Sequence, residues 1–519
     1  MSQTTSEMPG YATRREWFGL AVLMLPTILL AVDMTVLHLA APHLSADLKP
    51  TSAQLLWILD IYGFMIAGFL VTMGTLGDRI GRRRLLLAGA LAFGIASALA
   101  AFSTSAEMLI VTRALLGIAG ATLMPSTLSL LRQMFPVAQQ RTVAITIWMT
   151  GFMIGSAIGP LVGGLMLEFF WWGSAFLLGV PVMLVLLIAG PLLLPESRDE
   201  QAGALDVVSA LLSVTMVLAA VYGLKDVARN GAGWLPVLAL AVALLLGAVF
   251  VRRQLRLAEP MFDMDLFRDR AFSTSVAAMM LTILAMSGAW LMIFQYLQGV
   301  AGLSPLRAGV VMLPSMLVQV VASLLLPLLA RHVSRVRLIA GGLLVAAAGF
   351  LVLTQVAGDT AVAMLVAGTV VLGIGVMPMM ALGTDLVVSA APPEKSGAAS
   401  ATSETAIELG MALGIAVIGS VGAAVYRSRM TAQLPAGLTA PDAHAATDTL
   451  GGALAVVEGL GGAGPGVLAA ARDAFSAALH VNAAIGAVIA LATAMLVARF
   501  LRATPAAGPV PPPADSPAD

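Results

Sequence analysis

Between Trp17 and Phe500 the chain is a succession of apolar runs, each of about 20 residues and so long enough to cross a bilayer core of ~30 Å as a helix. A soluble globular domain carries roughly 25% charged residues; here charged residues make up 11% and hydrophobic ones 59%. The chain therefore reads as an all-α integral membrane protein. Fourteen spans are expected, at 17–41, 53–75, 85–102, 107–131, 142–166, 171–194, 206–225, 233–251, 272–297, 307–330, 337–356, 361–389, 398–426 and 475–500. An even number of spans puts both termini on one side of the membrane. Lys and Arg concentrate in the segments on that side, which places the termini in the cytoplasm. Trp17, Trp57, Trp171, Trp172 and Trp234 fall at or near span ends, as interfacial aromatics do. Residues 1–16 are polar and carry Arg14 and Arg15 just before the first span, so no cleavable leader is expected.

Several function classes are excluded. The chain has no cysteine, which removes disulfides, thiolate metal sites and Cys nucleophiles. It has no clustered His and no intramembrane nucleophile–base pair, so an enzyme is not expected, and no metal or organic cofactor. A G-x-x-x-x-G-K-[ST] loop is absent, which argues against ATP drive. A formal net charge of zero gives no reason to expect nucleic acid as a partner. A sensor is not expected either, because no stretch reads as a soluble output domain.

Between spans 2 and 3 lies Gly77-Asp78-Arg79-Ile80-Gly81-Arg82-Arg83-Arg84. So short and basic a loop joining two apolar helices makes a hairpin with its turn in the cytoplasm. The pattern G-x-x-x-D-R-x-G-R-R, beginning at Gly74, resembles the signature loop of the major facilitator superfamily. That resemblance implies that Asp78 helps to hold two halves of a transporter together on the cytoplasmic side, as a gate latch. A weaker copy occurs at Ala330–Leu338. It matches at Arg82/Arg335, Arg84/Arg337 and Leu85/Leu338, and Gly89/Gly342 follow in step. The second copy lacks the aspartate and both glycines, so its loop chemistry reads as decayed.

The repeat divides the chain into a six-helix half at 1–194, a linker with two inserted spans at 195–271, and a second six-helix half at 272–503. Parallel halves around a central site are one architecture of alternating access. The second half contains a long outer loop, 427–474, rich in Ala and Gly, in which no chemistry is legible. A Pro/Ala-rich tail, 504–519, has the composition of a disordered segment. The mixed-charge connector at 252–270 reads as a solvated interfacial segment and nothing more.

Ionisable residues inside apolar helices are expensive and mark functional sites. Span 1 carries Asp33, span 2 Asp60 and span 4 Arg113. At ~1.5 Å per residue all three lie about 10 Å from the outer ends of their spans, which points to one shared polar pocket. An Asp33–Arg113 pair that only locks the helices is compatible with that pocket, since a carboxylate feels its cation come and go. His38, about one turn beyond Asp33, could relay a proton or simply sit at the interface. Span 13 carries Glu404 and Glu408, which share a helix face at i and i+4 and cannot both stay ionised cheaply. They form either a proton-coupling pair or an inner-end pair that stays wet. Asp385, near the inner end of span 12, reads as an interfacial pair or cap.

Span 5 contains Gly151, Gly155 and Gly159 four apart, then Pro160, Gly163 and Gly164. Such a face permits close helix approach, and Pro160 removes a backbone hydrogen bond. The pattern resembles the antiporter motif of facilitator-superfamily drug exporters. From 15 to 502 the chain is similar to the fourteen-helix drug:proton antiporters of that superfamily, the QacA/LfrA/SmvA-like group. The resemblance implies a monomeric, multi-pass transporter of the bacterial plasma membrane. It would export lipophilic, often cationic compounds such as quaternary ammonium biocides, dyes and fluoroquinolones, with protons as the coupling ion. Some members carry a further acid in span 10; here Gln319 is the most polar side chain deep in that span. The alternative is a proton-driven exporter of one endogenous metabolite, lipid or antibiotic.

Overall fold

The computed structural model describes residues 11–501, apart from 197, 199–205, 231–232, 258–259, 261, 331, 358–360, 393–394, 436 and 460–463. Arg331 of the repeat, Glu259 of the connector and the Pro/Ala-rich tail therefore lie outside the described residues.

The described residues form helices without a strand. The first group is α1 (Arg14–Leu48), α2 (Ser52–Ile80), α3 (Arg82–Ala101), α4 (Ala106–Met134), α5 (Ala138–Phe169), the single turn α6 (Ser174–Leu177) and α7 (Gly179–Leu193). Then follow α8 (Val207–Asn230) and α9 (Trp234–Gln254). The remainder is α10 (Arg270–Gln295), α11 (Pro305–Ala330), α12 (Arg335–Leu353), α13 (Ala361–Ser389), α14 (Ser396–Gln433), α15 (Ala440–Asp448), α16 (Leu450–Gly459) and α17 (Gly464–Phe500).

Among the described residues, twelve helices are long and apolar enough to cross a membrane. A thirteenth is α2, bent by 44° between Ser52–Leu59 and Ile61–Leu70. The span expected at 142–166 is α5, whose glycines and polar residues leave two shorter apolar stretches, Val143–Phe152 and Ile158–Phe169. Local chemistry sets the starts. Thr13 and Glu16 form a capping box on α1, and Thr51 and Gln54 form one on α2, so the first free N–H groups of each helix are met. Gly81 joins α2 to α3 at φ +110°, a conformation that L side chains rarely adopt.

The expected outer loop is largely helical. α14 runs on to Gln433, α17 begins at Gly464, and α15 and α16 form a hairpin between them. That hairpin is anchored: Tyr426 Oη donates to Ala446 O at 2.9 Å, and Gly451 packs on Ser45 and Pro42 of α1.

Within the first group α5 lies along α1 and α4 along α2; within the last, α12 lies along α13 and α10 along α14. The two groups meet chiefly through α5 with α11 and α2 with α14. Many of the meeting points lie at the end of the bundle away from Arg14 and Phe500. There Gly164 of α5 rests on Leu306 of α11, and Leu56 of α2 on Gly419 of α14. Gln298 Nε2 also donates to Leu39 O at 3.0 Å. Asp448 accepts from the backbone N and Oγ of Ser52, each at 3.0 Å. The α8–α9 pair packs on itself, and α8 lies against both α2 and α14. Phe64, Val221 and Ala416, one from each of those three helices, make a small apolar core of their own.

Candidate functional site: two acid groups on either side of the seam

Arg113 is the largest side chain buried below 2% exposure, at 1%. A guanidinium in such a place has to be compensated, and three helices supply what it needs. Nη1 donates to Asp33 Oδ2 of α1 at 2.8 Å, and Nε donates to Ile58 O of α2 at 3.3 Å. Its carbon lies 4.4 Å from the ring centre of Tyr62 and 5.8 Å from that of Phe176, within the range of cation–π attraction. Local packing brings the helices close enough for this. A Cβ at Gly117 of α4 would sit 2.5 Å from Tyr62 O, so only glycine lets α4 approach α2 there. Asp33 is nearly enclosed, its side chain 12% exposed. Of the three charges expected at one depth, Asp33 and Arg113 form the ion pair weighed as a helix lock. The side chains of Asp60 and His38 lie outside the described residues; Asp60 itself is on α2 between Ile58 and Tyr62.

Glu404 and Glu408 sit on α14, which packs against α2. Glu408 is 5% exposed and Glu404 half-buried. Glu408 Oε2 is buried without a hydrogen-bond partner among the described residues. Thr402, Ser403 and Thr405 are buried around the pair and make this stretch of α14 a polar band in an apolar helix. Tyr62 lies within electrostatic reach of Asp33, Arg113 and Glu408 together. Residues from both helix groups therefore converge on one region. Gln319 is turned elsewhere: Nε2 donates to Ser315 O within its own helix at 3.3 Å, and its side chain packs on Gly373 of α13.

The glycine face of α5 serves two surfaces. Gly151, Gly155 and Gly163 press on Met24, Ile28 and Val36 of α1; a Cβ at Gly155 would lie 2.6 Å from Ile28 O. Gly164 and Pro160 face α11, where a Cβ at Gly309 would lie 2.7 Å from Pro160 O. The motif thus packs helices within one group and also seals one group against the other.

The basic loop is folded on its own side of the molecule. Asp78 Oδ1 of α2 accepts from Arg82 Nε of α3 at 2.7 Å, across the Gly81 junction. A Cβ at Gly77 would fall 2.9 Å from Arg82 Cδ. Glu196, just beyond α7, accepts the backbone N–H of Arg83 at 3.1 Å and lies 3.6 Å and 3.7 Å from the guanidinia of Arg83 and Arg84. Arg83 Nη1 also donates to Leu194 O at 3.0 Å. Arg79 points outward, exposed. Glu196 escaped the sequence reading; its one signal was an acid next to Pro195 on the side of the membrane that carries the Arg-rich loop.

The second copy of the loop is less decayed than its residues suggest. Arg335 pairs with Asp385 at 2.5 Å, so α13 supplies from another helix the carboxylate that the first copy carries in the loop. The connector also does more than fill space. Asp263 pairs with Lys395 just before α14, and Phe262 N donates to Gln254 Oε1 at 3.1 Å.

Comparison with known proteins agrees on the fold and the kind of molecule. Residues 23–415 match the sequence profile of the Major Facilitator Superfamily. The chain is 46% identical over 484 residues to the multidrug efflux pump LfrA of Mycolicibacterium smegmatis, covering 93% of this chain and 96% of that one. It is 37% identical over 466 residues to the methyl viologen resistance protein SmvA of Salmonella typhimurium, covering 89% and 93%. Among solved structures, a bacterial homologue of the human lysosomal transporter Spinster superposes with a TM-score of 0.67. It is 16% identical and the match covers 94% of this chain and 98% of that one.

Proposed function

The chain belongs to the major facilitator superfamily of membrane transporters and is not an enzyme; from that premise we propose that it is a proton-coupled multidrug exporter. Its cargo would be lipophilic, often cationic compounds. Proteins similar to it are named for multidrug efflux and for resistance to methyl viologen, which supports the cargo class. One observation carries the mechanism. A buried Asp33–Arg113 pair is packed on Tyr62 of α2, and α2 lies along α14, which carries the buried Glu408.

In this reading the two groups are halves that rock about the seam, with α8–α9 inserted between them, and the end bearing the termini faces the cytoplasm. With the groups in contact at the opposite end, a path for cargo between them would open toward the cytoplasm. A cationic drug is attracted by Glu404 and Glu408. Proton uptake at Asp33, assisted by Asp60, frees Arg113, and protonation of the glutamates expels the cation. Met and aromatic side chains can repack around varied shapes, which suits a broad substrate range.

Ethidium efflux from cells expressing the protein, with and without a protonophore, tests this. Efflux that stops when the gradient collapses is the expected result. Persistent efflux removes proton drive. No ethidium transport at all replaces the multidrug reading with an exporter of one compound.

A further inference from the structure

Tyr62 Oη and Glu408 Oε2 are both buried, and neither has a hydrogen-bond partner among the described residues. Buried polar groups in native proteins are rarely left so, and these two belong to helices from opposite groups that pack along one seam. The register of that seam is visible. Leu56 of α2 rests on Gly419 of α14, and Phe64 clusters with Ala416 and Leu413. The helices run antiparallel, so on this register Glu408 falls about two turns beyond the level of Tyr62 along the seam, and the two groups are still within electrostatic reach of each other. The Tyr62 ring also carries the Arg113 guanidinium at 4.4 Å. The hydroxyl lies beside Gly120 of α4, whose Cβ would stand 3.4 Å away.

We propose that Tyr62 is a positioning residue joining the two acid sites. Its ring holds Arg113 for Asp33, and its hydroxyl donates to Glu408 Oε2, directly as the halves move or through one water. A chain Asp33–Arg113–Tyr62–Glu408 then runs from one half to the other, with Glu404 one turn beyond. A change at Asp33 is felt at Glu408 because one side chain contacts both charges. This rests on the transport reading above and adds to it the residue that carries the coupling.

The test uses the full chain, purified into nanodiscs. Infrared difference spectra over a pH step need no substrate. Glu408→Gln identifies the Glu408 carboxyl band by removing it. Tyr62→Phe keeps the ring, and with it the Arg113 contact and the melting temperature, but is expected to move that band. A band that stays in place overturns the proposal. In proteoliposomes with ethidium as probe, Tyr62→Phe is expected to slow proton-driven efflux about tenfold, the scale of a hydrogen bond to a charged group. The Tyr62→Phe/Glu408→Gln double variant should be no slower than Glu408→Gln alone; independent, multiplying losses overturn the pairing. A Glu408→Gln variant that removes no band from the pH-step difference spectrum and keeps full efflux sinks the transport reading of Glu408 as well. Loss in Glu408→Gln beside an unaffected Tyr62→Phe sinks this inference alone.

Discussion

The two acid groups at the seam are built on opposite principles. Asp33 meets a guanidinium that is itself held by a carbonyl of α2 and two aromatic rings, so the Arg113 charge is met from three helices and the Asp33 charge by Arg113. Glu404 and Glu408 come from one helix, in a band of hydroxyls, and Glu408 keeps one oxygen unmet. The first arrangement stores a charge by compensating it. The second leaves a carboxyl whose comfort depends on whatever arrives beside it, whether a proton, a cation or Tyr62. A transporter needs both, because coupling is a difference between states in how well a group is satisfied.

Removing the guanidinium should show that contrast most strongly. Arg113→Leu leaves Asp33 buried without its cation, and breaking such a pair costs about 3–5 kcal/mol. A large drop in melting temperature is expected, with partial recovery in Asp33→Asn/Arg113→Leu; no drop would mean that the pair contributes little to the fold. Next comes Asp33→Asn, whose side-chain oxygen still accepts from Arg113. The protein should fold while energised efflux falls about 100-fold, equivalent to ~2.7 kcal/mol, as measured by ethidium transport under an imposed proton gradient. Full proton-driven transport by that variant would remove Asp33 from the mechanism.

Glu408→Gln sharpens the other side of the comparison. No ion pair is lost, so stability should change by no more than about 1 kcal/mol while efflux still falls. A destabilisation as large as that of Arg113→Leu would show that the two sites are built alike after all. Asp263→Asn is expected to act least, because the pair with Lys395 lies at the surface of the connector. There the hydrogen bond from Lys395, ahead of opposing burial, lowers the Asp263 carboxyl below its ordinary 3.8. Its contribution is full above that ordinary value and disappears as pH falls through the lowered folded one. The variant should therefore melt about 1–2 °C below the parent at neutral pH and match it in strong acid.

The two copies of the loop make the same point about legibility. Asp78 and Arg82 are four residues apart in the sequence, on either side of the Gly81 junction, so their pairing is a local one. Arg335 and Asp385 form a similar pair, but fifty residues of helix separate them and no local pattern announces it. Glu196 and the Asp448–Ser52 contact were hidden for the same reason. Tyr62 was hidden differently: an aromatic in an apolar span looks like core, and only the guanidinium over its ring distinguishes it.

Composition and run length determined that the chain crosses membranes as helices, since hydrocarbon demands that backbone bonds be met within each segment. The basic loop, the glycine face of α5 and the depth of Asp33 and Arg113 were likewise local facts, set by helical periodicity and the cost of charge in an apolar span. Tertiary structure alone decided which charges meet and which stay unmet. It also set which glycines press on α1 and which on α11, and where α8 closes on α2 and α14. Those outcomes depend on angstrom-scale approach between segments hundreds of residues apart, and hydropathy and spacing say nothing about distance across a seam.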